Sequence, residues 1–217
     1  VLDIRGGKGE RKIFKTIFIQ KANGSYGYEI CTNRLFYVKN NLVMKTLTIF
    51  TPAFNRAHTI VRTYDSLCRQ TSDDFEWLIV NDGSSDETAE LIENWLEEGF
   101  KEYRTEHNQR TYNHKEGFSK DKGFRIHYIF QKNQGMHGAH NTAYRYITTE
   151  LNTCIDSDDY MPVDAVENIV SFWNKNKDDK YAGFMGLDQR EDGSIIGTTF
   201  PIDMKETTFG LKSRFQY

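Results

Sequence analysis

Cysteine is scarce in this chain of 217 residues, with three in all: Cys31, Cys68 and Cys154. They lie far apart and form no Cys-x-x-Cys pair, which speaks against a disulfide framework or a zinc ribbon and suits reduced thiols. Long apolar runs are missing too. No stretch reaches the ~18–20 residues a membrane-spanning helix needs, and no basic start, apolar middle and small-residue cleavage site marks a secretory leader. Charge of one sign is also lacking, since 28 Lys and Arg against 31 Asp and Glu leave a net of −3. Nothing in that balance points to nucleic acid as a partner. Aromatic residues are plentiful: 15 Phe, 12 Tyr and 3 Trp supply core material even at a mean hydropathy of −0.68. Wholesale disorder is therefore excluded. The expectation is a soluble cytoplasmic domain, either whole or part of a larger one.

The charge is unevenly spread. Residues 1–43 carry eight Lys and Arg against three acidic residues, a net of +5, which leaves −8 for the remainder. That first stretch has apolar clusters but no sustained period. It reads as a basic extension outside the core rather than an arm for an anionic partner. The domain proper is expected from Met44 onward.

From there strands and helices alternate. Leu47–Phe50 and Phe75–Val80 are short apolar runs, the second nearly continuous, as in a strand covered on both faces. Ala57–Gln70 repeats Ile60, Val61, Tyr64, Leu67 and Cys68 at helical spacing. Ser84–Glu98 opens on Ser84-Ser-Asp-Glu87, a capping-box pattern. Residues 99–124, polar and mixed in sign, read as a long surface excursion. Arg125–Phe130 and Leu151–Ile155 resume strands, Met136–Thr148 a helix, and Pro162 suits the first turn of a helix reaching Asn176. Tyr181–Leu187 and Ile195–Phe200 read as strands flanking the turn Glu191-Asp-Gly193. The alternation predicts an α/β fold with a mostly parallel central sheet flanked by helices.

In such sheets ligands gather at the carboxyl ends of the strands. Four polar clusters follow four predicted strands: Thr51-Pro-Ala-Phe-Asn-Arg56, Asn81-Asp-Gly-Ser-Ser-Asp86, Gln131-Lys-Asn-Gln-Gly-Met-His-Gly-Ala-His-Asn141 and Asp156-Ser-Asp-Asp159. The last packs three carboxylates into four residues, which is unfavourable unless a cation offsets them. Oxygen ligands alone suit Mg²⁺ or Mn²⁺ rather than zinc. The competing reading is a solvated acidic turn capping the helix after Pro162.

These four motifs, in this order and spacing between Met44 and Leu187, resemble those of family 2 glycosyltransferases, inverting enzymes of the Rossmann-like GT-A fold. The resemblance implies transfer of a sugar from a nucleotide-diphosphate donor to an acceptor hydroxyl with a divalent metal, Mn²⁺ or Mg²⁺. Asp82 matches the aspartate that meets the donor's base. Its carboxylate accepts from uracil N3–H, a donor cytosine lacks, so a UDP-sugar is expected. Pro52, Phe54 and Asn55 match the loop lining base and ribose. Phe54 would stack on the base, its alternative being a core aromatic at a strand end. Ser84 and Asp86 lie in the Asp82 loop, where capping accounts for both. Gly135 permits a tight turn before a helix N-terminus suited to phosphate or sugar oxygens. His140 stands where many relatives carry Arg and retains a hydrogen-bond donor; His137 shares its helix face. Asp158 matches the final Asp of the family's D-x-D motif and is the expected main metal ligand. Asp156 is placed for ribose or metal, and Asp159 behind them.

A single inverting displacement also needs a carboxylate base. Its match is not among these residues, and the resemblance places it beyond Tyr217, so residues 44–217 are expected to be the donor-binding part of a longer enzyme. Glu191 and Asp192 sit in a glycine-containing turn that explains them locally. A nucleotide-sugar-binding fragment without activity is the main alternative. A nucleotidyltransferase would carry a glycine-rich basic loop after its first strand, and Thr51–Arg56 contains no glycine. The acceptor implied is a glycan or lipid-linked glycan of cell-surface polysaccharide assembly, worked on in the cytoplasm or at the inner membrane face.

Overall fold

The computed structural model describes residues 18–21, 44–178, 182–186, 188–190, 192 and 194–196. The elements run β1 (Phe18–Lys21), β2 (Leu47–Ala53), α1 (Ile60–Cys68), β3 (Phe75–Asn81), α2 (Thr88–Asn94), β4 (Lys101–His107), β5 (Arg110–Phe118) and β6 (Arg125–Gln131). They continue with α3 (Gly135–Tyr146), β7 (Leu151–Cys154), α4 (Ala165–Asn176), β8 (Gly183–Met185), β9 (Asp188–Gln189) and β10 (Ile195–Ile196). Eight strands form one sheet in the order β4-β5-β6-β3-β2-β7-β1-β8, and β9 and β10 form a separate pair. The middle strands β6-β3-β2-β7 are parallel. Those outside them pair antiparallel. The α/β reading holds, with the parallel part confined to the centre.

Burial on both faces explains the apolar runs. Every residue of β3 is buried. Leu47, Ile49, Trp77 and Ile79 face one layer, packed with Ile60, Tyr64 and Leu67 of α1, Ile92 of α2, and Ile169 and Trp173 of α4. The alternate positions Phe50, Leu78 and Val80 face Ala139 and Ala143 of α3. That is the two-residue period of a strand. The first layer is rich in aromatics: Tyr64 stacks on Trp95 at 4.3 Å and 5°, and Trp77 Nε1 donates to Thr51 Oγ1 at 2.9 Å. Pro52 is tolerated in a central strand because β2 pairs with β7 only over Leu47–Phe50. Phe50 O accepts from Ile155 N at 2.9 Å, so Pro52, two residues on, faces that side beyond the last β7 partner and costs no ladder bond.

Two expectations change. Residues 99–124 are not a plain surface excursion, because β4 and β5 make a full antiparallel hairpin extending the sheet through β6. Its two-residue turn, Asn108-Gln109, has φ of 50° and 60°, the type I′ geometry that matches strand twist. Within 1–43, expected outside the core, Phe18–Lys21 forms β1 and lies between β7 and β8. Strand pairing uses backbone groups alone, so composition gave no hint of it. The expected strand Tyr181–Leu187 contains β8, with residues 182–186 described; the rest of segment 1–43, most of the expected strand Ile195–Phe200, and Glu191 and Gly193 lie outside the described residues.

Candidate functional site

Because β2, β3, β6 and β7 are parallel, their carboxyl ends share one edge of the sheet. The four polar clusters lie there, around the strand ends at Ala53, Asn81, Gln131 and Cys154.

The first two loops are sewn together. Asn55, at a left-handed φ of 53°, donates its N–H to Ser84 Oγ at 2.9 Å, and its Oδ1 accepts from Ser85 N at 2.9 Å. Arg56 N donates to Thr88 Oγ1 at 2.8 Å, and Ala57 N to Asp86 Oδ2 at 3.1 Å. Asn81 Oδ1 accepts from Ser84 N at 2.9 Å. Ser84 is thus not the helix cap its Ser-x-x-Glu pattern suggested. Glu87 occupies the N-cap of α2, and Ser84 spends its hydroxyl on the neighbouring loop. Asp86 bridges the loop to α2, accepting from Thr88 N at 3.1 Å as well. Burial opposes the Asp86 carboxylate, but the Thr88 hydroxyl, then the Ala57 and Thr88 amides, outweigh it and hold its pKa below the usual range. Both residues had been explained by capping; their tertiary partner was invisible in the local pattern.

Asp82 is buried at 3% exposure. Its Oδ1 accepts from Gln131 Nε2 at 2.6 Å and from Gln134 N at 2.9 Å. Its Oδ2 accepts from none of the described residues. Gly83 follows with φ of 79°, and a Cβ there would meet Asn133 N at 2.9 Å. Only glycine lets the second and third loops come this close.

The third loop leads into α3 at Gly135, φ 75°. Asn133 Oδ1 accepts from Gly135 N at 3.2 Å, and Arg110 of the hairpin donates to Gln134 Oε1. On α3, His140 packs edge-on to Phe50 at 4.9 Å. Burial lowers the His140 pKa, Asp156 pulling it back up and His137 pushing it down. The imidazole and the acidic loop are therefore close enough to sense one another.

That acidic loop brings Asp156, Asp158 and Asp159 together, with ligand oxygens all within 4.8 Å of one another. Asp158 is exposed and Asp159 buried. α1 fixes the loop's backbone: Thr63 Oγ1 donates to Asp159 O at 2.7 Å, and Ser66 Oγ accepts from Met161 N at 3.1 Å. Gln70 Nε2 donates to Pro162 O at 2.6 Å, while its Oε1 accepts from Val166 N at 3.0 Å, capping α4. An all-carboxylate set of this spread fits a hard divalent cation.

The family model for glycosyl transferase family 2 matches residues 48–119 and 111–214. The chain belongs to glycosyl transferase family 2. Among curated family members it is 32% identical over 130 residues to the chondroitin synthase of Escherichia coli, covering 60% of this chain and 16% of that protein. It is 29% identical over 154 residues to the hyaluronan synthase of Pasteurella multocida, covering 71% and 13%. The chain thus spans about a sixth or less of the length of these relatives. Among solved structures, S. aureus TarS aligns with a TM-score of 0.46 at 21% identity, covering 61% of this chain and 33% of that one.

Of the family 2 positions picked out from sequence, Asp82 is bonded to the third loop at Gln134, next to Gly135, Pro52 lies near the end of β2, and Phe54 and Asn55 follow it beside the second loop. Phe54 is 47% exposed, so it is no core aromatic. Sequence reading placed Gln131, Ser84 and Asp86 in the loops of this edge but gave none of them a part in the site. Among the described residues no helix is long and apolar enough to cross a membrane.

Proposed function

We propose that this chain holds the donor site of a glycosyltransferase that passes a sugar, with inversion, from a UDP-sugar to a hydroxyl of a glycan or lipid-linked glycan. The observation that carries the reading is the chemistry of one sheet edge, where a buried carboxylate with an uncommitted oxygen shares the strand ends with three clustered carboxylates. Asp82 Oδ2 accepts the uracil N3–H, Phe54 lies on the base, and Pro52 and Asn55 wall the ribose. The α3 N-terminus at Gly135 and the imidazole of His140 donate to sugar or phosphate oxygens. Asp158 and Asp156 hold Mn²⁺ or Mg²⁺, with Asp159 supporting them from behind. When bound, the ion neutralises charge on the departing diphosphate. The names of the two synthases support a role in polysaccharide assembly, worked on at the cytoplasmic side, including the inner membrane face.

The test is calorimetric titration of UDP with and without Mn²⁺. A diphosphate would offer the ion further oxygen ligands, so metal and UDP should each tighten the other's binding by the same factor. Asp158→Ala should remove most of that coupling and leave metal-free UDP binding nearly intact. Equal UDP affinity of the wild type in Mn²⁺ and in chelator would reduce the cluster to a helix cap.

A further inference from the structure

The hydrogen bonds behind Asp82 run in one direction. Arg145 Nη2 donates to Thr142 Oγ1 at 2.9 Å and to Tyr112 Oη at 3.1 Å. Thr142 Oγ1 donates to Gln131 Oε1 at 2.6 Å. Gln131 Nε2 then donates to Asp82 Oδ1 at 2.6 Å. Thr142 is fully buried and Gln131 only 1% exposed, so water does not compete along the middle of the chain. A guanidinium has donors only, and lying across the Tyr112 ring, 5.2 Å from its centre, it fixes the order of every proton after it. The Thr142 oxygen accepts, so its own proton points onward. The Gln131 carbonyl receives that proton, and its amide NH₂ is left facing Asp82.

We propose that Gln131 and Thr142 are positioning residues for Asp82, setting nucleobase selectivity through this one-way chain. A Gln side chain is nearly symmetric in shape, and without the hydroxyl behind it either end fits. Turned round, its carbonyl would face the carboxylate and push Asp82 out of its rotamer. Held as it is, the amide and Gln134 N occupy Oδ1 together and leave Oδ2 for an N–H on the ligand. The proposal rests on the base contact assigned to Asp82 above, and it adds that the contact is oriented from α3, two hydrogen bonds away.

The experiment measures metal-free dissociation constants of UDP and CDP for the wild type, Thr142→Val, Thr142→Ser, Arg145→Met and Asp82→Asn. A general loss of structure weakens both nucleotides alike, so the CDP-to-UDP ratio is the deciding quantity. Thr142→Val should shrink that ratio about five-fold, the worth of one hydrogen bond, and Thr142→Ser should restore it. Should Thr142→Val not accumulate as folded protein, Arg145→Met, at the exposed head of the chain, should shrink the ratio about two-fold. An unchanged ratio in the folded Thr142→Val protein, with Asp82→Asn collapsing it, overturns the positioning role and leaves the base contact standing. An unchanged ratio in Asp82→Asn removes the base contact itself and the proposal with it.

Discussion

Two imidazoles inside the sheet respond to pH in opposite directions, and together they set where the fold is most stable. His127 on β6 lies between two carboxylates, with Nε2 3.3 Å from Glu76 Oε2 on β3 and Nδ1 3.3 Å from Glu116 Oε1 on β5. Burial disfavours the cation, but Glu116 and Glu76 outweigh it and raise the His127 pKa from 6.5 to about 9. His114 on β5 is 2% exposed, stacked on Tyr103 at 4.6 Å and flanked by Tyr146, with Nε2 2.8 Å from Thr105 Oγ1. Burial lowers its pKa from 6.5 to about 4; Glu116 opposes that and the His127 charge adds to it.

The signs follow from which state binds the proton. Between pH 6.5 and about 9 only the folded protein keeps the His127 proton, so its contribution is complete below 6.5 and fades as pH rises. Between 6.5 and about 4 only the unfolded chain takes up the His114 proton, so stability falls as pH falls. At ~1.4 kcal/mol per pH unit, each arm is worth roughly 3 kcal/mol. Stability should peak near pH 6.5 and drop on both sides, a large swing for a domain with ~5–15 kcal/mol in total. Glu116, held down at about 2 by His127 against the cost of its own burial, adds loss only below ~4.5. Urea unfolding at pH 4, 5, 6.5, 8 and 9 measures the profile. His127→Gln should lower stability near neutrality and remove the alkaline arm, softening the acid arm only slightly through the lost charge beside His114; His114→Gln should flatten the acid arm. An alkaline slope that persists in His127→Gln would refute the assignment.

Three further outcomes follow from the site. Gly83→Ala puts a Cβ 2.9 Å from Asn133 N at a φ of 79°; it should cost more than ~1 kcal/mol in thermal or urea unfolding and weaken UDP binding, and a neutral effect on both would mean the loops do not meet there. Asp86→Ala removes the acceptor of Ala57 N and Thr88 N and should destabilise by ~1–2 kcal/mol while raising the UDP dissociation constant, with an unaltered constant placing the loop seam outside the nucleotide site. Thr63→Val deletes the donor to Asp159 O; it should weaken the Mn²⁺–UDP coupling several-fold with metal-free UDP binding unchanged, and undiminished coupling would show that the acidic loop holds its shape without α1.

What was legible in the sequence is what the solvent sorts. Phe75–Val80 is apolar but for Glu76 because both of its faces are covered, and the α1 residues Ile60, Tyr64 and Leu67 repeat at helical spacing because one face is. The four loop clusters were legible because parallel strands deliver their ends to one edge. The β4–β5 hairpin was not. Nearly all of β4 is exposed, so it has no alternation to detect, and the inward positions of β5 are Tyr112 and His114, residues that look like surface until Arg145 and Thr105 are seen to satisfy them. Ser84 failed for the opposite reason. Its local pattern was complete, but Asn55 N, 29 positions away in sequence, took the hydroxyl. Gln131 carried no local signal at all, since a polar residue at a strand end reads as the start of a loop.

The same distant contacts tie the two halves of the site into one frame. Asn55, Arg56 and Ala57 are bonded to the Asp82 loop and α2, and the chain that leaves Ala57 enters α1 within three residues. α1 in turn carries Thr63 and Ser66, and Gln70 follows just after it; together they hold the backbone from Asp159 to Val166. A displacement of the first loop therefore cannot stay local; it is carried along a helix packed by Ile60, Tyr64 and Leu67 onto the sheet. Packed interiors resist such sliding. The first three loops and the acidic loop thus keep a fixed separation, which is what the proposed ligand, with a base at one end and a diphosphate at the other, would require of this edge.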